Sequence, residues 1–138
     1  MTIKEYYDFS CWLIRYDRIS IRGLTYQKDC LKNSCDQLIP LLWGHDHVNP
    51  NCVLGHVKLE NRDEGVYVYG TLSHTNFRES VIGMIRDKDV FVSPYVNQVN
   101  IDNKHVISGV VREVSFVFDR IDHDDLYRPA MRDQTETL

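Results

Sequence analysis

Val53-Leu54-Gly55-His56-Val57-Lys58-Leu59 and Val66-Tyr67-Val68-Tyr69-Gly70-Thr71-Leu72, set either side of Glu60-Asn61-Arg62-Asp63-Glu64-Gly65, decide the fold. Two runs rich in Val, Leu and Tyr around a polar, glycine-containing segment are the signature of a β-hairpin. In the second run Val66, Val68 and Gly70 alternate with Tyr67, Tyr69 and Thr71. One face therefore meets a core, and an aromatic face turns outward or toward a partner. Working outward, Phe9 to Ile14 and Leu38 to Trp43 are apolar runs bounded by polar residues. Val90 to Val99 and Val106 to Phe118 read as two further strands joined at Asp102-Asn103-Lys104. Strict alternation in the last strand puts Val110, Val114 and Phe116 on one face, and Val111, Glu113, Ser115 and Val117 on the other. Pro94 marks an edge or a bulge, because a proline cannot donate to a ladder.

One segment changes period. Phe77, Val81, Met84 and Ile85 recur at helical spacing, predicting a helix over 76–87 with Asn76 and Glu79 as a capping pair. From Tyr127 to Leu138 the chain is polar and without period. It reads as a frayed tail behind one domain over residues 1–126. The expected fold class is mainly β with a few helices, a small barrel or sandwich with one or two helices packed on it.

Composition narrows the classes of function. With 138 residues the chain suits one domain that buries roughly 68–70% of its unfolded surface. A net charge of −4 and no basic run argue against a nucleic-acid partner, which needs clustered Lys and Arg. No apolar stretch approaches the ~18 residues of a membrane span. Met1-Thr2-Ile3-Lys4-Glu5 opens no signal-peptide pattern. Cys11, Cys30, Cys35 and Cys52 have the spacing of neither a zinc ribbon nor a disulfide scaffold, so a soluble, cytosolic protein with reduced thiols is expected. G-x-G-x-x-G, P-loop and G-x-S-x-G patterns are missing, and no cofactor is implied.

The chemistry concentrates after Ile39-Pro40-Leu41-Leu42-Trp43-Gly44, at His45-Asp46-His47. A buried strand is a rigid platform, and histidine at its exit suits proton transfer or metal binding. For a metal, His45 and His47 would share one face, with Asp46 or His56 as further ligands. For nucleophilic catalysis, a serine needs a base and the base an orienting carboxylate. Ser93, Glu113 and Ser115 are the candidates. Read alone, Ser93 reads first as a polar residue at a bulge, and Glu113 as a half-buried carboxylate paired with Arg112 or Arg120. His47 reads as a surface neighbour of His45, and His56 as a core or rim histidine.

Four segments in unbroken order across residues 8 to 120 carry a resemblance. They are Leu41-Leu42-Trp43-Gly44-His45-Asp46 with Val53 to Val57, the hairpin around Glu60 to Gly65, Val92-Ser93-Pro94-Tyr95-Val96-Asn97-Gln98, and Val111-Arg112-Glu113-Val114-Ser115-Phe116-Val117. Together they resemble the tailed-phage prohead maturation proteases, relatives of the herpesvirus assemblins. The resemblance implies a small closed antiparallel β-barrel flanked by helices. It implies a serine endopeptidase with His45 as base, Ser93 as nucleophile and Glu113 as orienter, with Ser115 as the rival nucleophile. The implied partners are the major capsid protein with its scaffolding segment, the protease itself, and a second copy in a homodimer. The implied setting is the host cytoplasm, inside the prohead. The sequence departs from the family at Pro94, which removes an N–H beside the serine, so the oxyanion hole must draw on other donors, such as backbone groups near Arg112. It also ends soon after its last strand, which suggests a mature or trimmed form. The rival readings are an inert capsid-assembly module with the same barrel, and a metallohydrolase using His45 and His47.

Overall fold

The computed structural model describes residues 7–16, 18–19, 23–46, 48–120 and 124–135. Half of the chain is strand and 18% is helix. The strands are β1 (Phe9–Arg15), β2 (Thr25–Tyr26), β3 (Ile39–Trp43), β4 (Val53–Arg62), β5 (Gly65–Leu72), β6 (Phe91–Asp102), β7 (His105–Val117) and β8 (Ala130–Met131). Two helices accompany them, α1 (Arg78–Arg86) and the single turn α2 (Arg132–Thr135).

All eight strands belong to one sheet, in the order β2–β7–β3–β4–β5–β1–β8, with β6 along β7. β6 and β7 form a long antiparallel hairpin closed at Asp102–His105. Its central residues Asn103 and Lys104 both take positive φ, the pattern of tight hairpin turns. The opposite edge of β7 is shared. β2 pairs parallel with His105 and Val106, and β3 pairs parallel with Val114 to Phe116. Between them the amide of Val111 donates to the buried Ser34 Oγ at 2.9 Å, so that donor is satisfied where no strand pairs with it.

The sheet curls into a half-barrel and stays open, which corrects the closed antiparallel barrel flanked by helices. Closure requires every strand pair to share a consistent tilt and register stagger. Here β1 and β6 approach without a ladder, and the Arg120 guanidinium lies between them. Its Nη1 donates to Leu13 O at 2.7 Å and to Val92 O at 2.9 Å. An arginine bridges the seam where strand pairing would have closed it. Pro94 lies on β6, whose ladder partner among the described residues is β7 alone, in keeping with the tolerance of edge strands for proline.

The concave side holds the core. Leu13, Leu41, Val57, Leu59, Val66, Val68, Val114 and Phe116 are fully buried, and α1 contributes Val81 and Ile85. Phe9 of β1 and Phe116 of β7 meet across the curl, with ring centroids 5.2 Å apart. Gly70 makes that contact fit, because a Cβ built there falls 2.0 Å from the Phe9 ring.

Four local expectations shift. The β4–β5 hairpin extends through the polar run, leaving Asp63 and Glu64 as the turn. Arg62 bonds Glu60 and Tyr69 and lies 3.8 Å over the Tyr67 ring, so outward polar side chains support the pairing. α1 begins at Arg78 without a side-chain cap, since Thr75 Oγ1 receives the Phe77 amide, and Phe77 is exposed. In β7 the register runs from Tyr95↔Glu113 to Val96↔Val111, leaving Arg112 as the extra residue of a bulge. That bulge reverses the alternation and sends Val111 into the core with Val114 and Phe116. Finally, the expected frayed tail is structured over its described part. Tyr127 is buried, and Ala130 and Met131 pair with Ser10 and Phe9.

Gly70→Ala is expected to lower stability by about 1–3 kcal/mol in chemical denaturation, because the added methyl must displace the Phe9 ring. Burial pushes the Cys30 and Cys35 thiols up from the ordinary 9.0 to about 11, with Asp29 acting on the first and Asp36 and Glu60 on the second. The unfolded chain therefore ionises first as pH rises. Their stabilisation is complete below pH 9 and is lost between about pH 9 and 11, to be measured as a falling denaturation midpoint across that window.

Candidate active site

β3 delivers the site because its pairing with β7 stops at Trp43 and the backbone then turns sharply. The Gly44 amide donates to Phe116 O at 3.0 Å and the Asp46 amide to Trp43 O at 3.2 Å, closing a four-residue turn. Its central residues Gly44 and His45 have φ of 60° and 59°. Glycine takes the left-handed region at little cost, whereas His45 is held there by its surroundings. The His45 amide donates to Ser115 Oγ at 3.0 Å, fixing the backbone of the turn onto β7. Beyond it, Asp46 Oδ1 accepts the amides of Val48 and Asn49, at 3.0 and 3.1 Å, and secures the exit of the loop.

The imidazole is thereby laid across the outer face of the β6–β7 pair. Ser93 stands directly opposite Ser115 in the register, and Tyr95 opposite Glu113. His45 Nδ1 lies 3.2 Å from Glu113 Oε1, and Nε2 lies 3.2 Å from Ser93 Oγ. A carboxylate only accepts, so the proton belongs on Nδ1 and Nε2 is left to accept from the serine hydroxyl. Glu113 is buried, with 3% of its surface exposed, while the His45 side chain keeps 30%. Tyr95 flanks the imidazole with ring centroids 6.5 Å apart. A fixed carboxylate, an oriented imidazole and a half-buried hydroxyl form a linear relay able to carry a proton from serine to histidine.

All three residues singled out in the sequence meet at this point. Ser115 is brought to the same place in a different capacity. It is wholly buried and its Oγ accepts the His45 amide, so it holds the histidine's backbone rather than facing its ring. Position alone did not announce this role, although its two-residue offset from Glu113 puts both on one face. For the metal reading, His47 lies outside the described residues. Both ring nitrogens of His45 are engaged by Glu113 and Ser93, and no cluster of three metal-ligating side chains occurs among the described residues. His56 lies on β4 against a separate surface cavity, half-buried as a rim residue.

No protein-family model matches this sequence, and no curated protein matches it.

Gly44→Ala forces a Cβ into the left-handed region while meeting open space. The expected cost is about 1–2 kcal/mol of stability, read by thermal or chemical denaturation, with no packing defect to relieve.

Proposed function

We propose that this protein is a serine endopeptidase working through Ser93, His45 and Glu113. The observation that carries the reading is the His45 imidazole set between a serine hydroxyl and a buried carboxylate, each at 3.2 Å. Ser93 Oγ attacks the scissile carbonyl as His45 Nε2 takes its proton. Glu113 holds the ring in the required tautomer and stabilises the imidazolium. The proton then passes from Nε2 to the leaving amine, and water repeats the sequence to free the acyl group. Pro94 has no amide hydrogen to offer the oxyanion. The reading therefore assigns that task to backbone donors at the Arg112 bulge, where one residue stands outside the regular ladder.

The sequence resemblance extends the proposal to substrate. It makes the enzyme a prohead maturation protease that removes the scaffolding segment of the major capsid protein and cleaves itself, acting in the host cytoplasm within the prohead. Irreversible hydrolysis suits a step that must not run backward during assembly. An inert assembly module would have no use for an imidazole ordered between two partners.

A serine-reactive phosphonate should label the protein at Ser93, located by peptide mass spectrometry. Ser93→Ala should abolish both labelling and processing of a co-expressed capsid precursor; persistent processing by that variant would refute the assignment. Glu113→Gln should retain the fold and lower kcat by about 10³–10⁴, as expected when the tautomer is no longer enforced. Ser115→Ala removes one hydrogen bond behind the histidine and should cost about tenfold or less while labelling persists.

A further inference from the structure

Ser93 stands on a strand that is laddered, among the described residues, on one side alone. Along an antiparallel strand the backbone groups of successive residues point to alternate edges. The Val92 carbonyl accepts from Arg120 at the seam, so Val92 and Pro94 face that edge while Ser93 faces β7. Pro94 has no amide hydrogen to give there. The Val92 carbonyl, covalently joined to the Ser93 nitrogen, is therefore the polar group through which the seam side can hold the serine's backbone.

Arg120 holds it from a braced position. One nitrogen, Nη1, donates to Val92 O at 2.9 Å and to Leu13 O at 2.7 Å, tying β6 to β1. Its Cζ lies 3.5 Å over the ring of Tyr127, which is buried. A planar guanidinium stacked on an aromatic face and bonded at its edge keeps little freedom to swing. The segment that supplies Tyr127 is itself fastened to both strands. Ala130 and Met131 pair with Ser10 and Phe9 on β1, and the Arg128 guanidinium lies 4.1 Å over the Phe91 ring on β6. Arg128 donates in turn to Asp125 Oδ1 at 2.9 Å and to the Lys88 carbonyl. The seam contacts fall on Phe91 and Val92, the two residues that lead into Ser93.

What this bracing sets is a distance. Ser93 Oγ lies 3.2 Å from His45 Nε2, at the long end of a hydrogen bond, so a small retreat of β6 would break it. A misplacement of about 1 Å at a reacting group costs about 10²-fold in rate. Glu113, the other partner of the imidazole, rides on β7 between β6 and β3 rather than at the seam. The two bonds of the ring can therefore be perturbed separately.

We infer that Arg120 is a positioning residue for Ser93, which it holds within bonding distance of His45 through the Val92 carbonyl while Tyr127 braces it from behind. The nucleophilic role of Ser93 rests on the peptidase reading; the bond from its hydroxyl to Nε2 does not.

The test uses the whole protein and two readouts. One is phosphonate labelling at Ser93, resolved into a maximal rate and a half-saturating concentration and followed against pH. The other is the nitrogen NMR shift of the His45 ring, where Nε2 reports the Ser93 bond and Nδ1 the Glu113 bond. Ser93→Ala marks the Nε2 position with that bond removed. Arg120→Met keeps the length of the side chain and removes every donor. It should lower the maximal labelling rate about 10–100-fold, with half-saturation and the pH midpoint in place. Nε2 should move toward its Ser93→Ala position while Nδ1 stays. Arg120→Lys restores a charged donor and should recover part of the rate. Tyr127→Leu spares the donors and removes the ring beneath them; it should give the same pattern in weaker form, and it decides the matter if Arg120→Met does not fold. A lowered denaturation midpoint with labelling per folded molecule and Nε2 both unchanged would overturn the inference and leave Arg120 as a seam bond alone. Absence of labelling in the unaltered protein would refute the peptidase, and the Nε2 shift would still decide the positioning. Labelling that none of these variants slows would refute the positioning and leave the peptidase standing.

Discussion

The parallel pairing of Leu41–Trp43 with Val114–Phe116 is the constraint on which the rest of the molecule depends. It sets β3 beside the one strand that also carries β6, so β3 and β6, far apart in sequence from each other, flank a single stretch of β7. The phase of that pairing puts Leu41, Val114 and Phe116 in the core and leaves Glu113 and Ser115 on the opposite face. Shifting β3 by one residue would turn its apolar set outward and carry the Gly44–His45 turn away from its acceptors, the Phe116 carbonyl and Ser115 Oγ. Packing on one side of the sheet thus fixes chemistry on the other.

The site is built largely from backbone decisions. Gly44 and His45 occupy left-handed conformations, Arg112 stands outside the ladder, and Ser115 receives an amide rather than presenting a nucleophile. Each holds a reactive group by holding the backbone behind it. A histidine on a free loop would sample many rotamers. Here its amide and both ring nitrogens have partners, so little reorganisation separates the resting arrangement from one that accepts a proton.

Much of the strand inventory was legible, because apolar runs such as Phe9 to Ile14 and the alternation of Val66 to Thr71 carry period-two patterning that local sequence encodes. The limits of that legibility follow the range of the interaction. The parallel pairings of β7 join residues some seventy positions apart (Leu42 with Ser115, for one), and nothing local marks them. The open seam was equally hidden, since it depends on register stagger summed over the sheet and on Arg120 reaching two carbonyls. The alternation in β7 misled at Arg112 because a bulge has no signature of its own among Val, Arg and Glu. His45, Ser93 and Glu113 were each ambiguous as residues. Their selection came from family-like segments in order, and only coordinates bring their side chains within hydrogen-bonding reach.

An unclosed sheet has a consequence for how copies of this protein behave beside one another. A barrel has no edges, whereas this sheet ends at β6 and β8, and an exposed ladder is a template for another strand. Both ends carry features that discourage such templating. β8 contributes two residues, too few to seed a neighbour, while Pro94 withdraws a donor from β6 and Arg120 occupies carbonyls on both sides of the seam. The same proline that offers no amide hydrogen to the proposed reaction also withholds a donor from any neighbouring strand, a feature that opposes the edge-to-edge pairing open to an unclosed sheet.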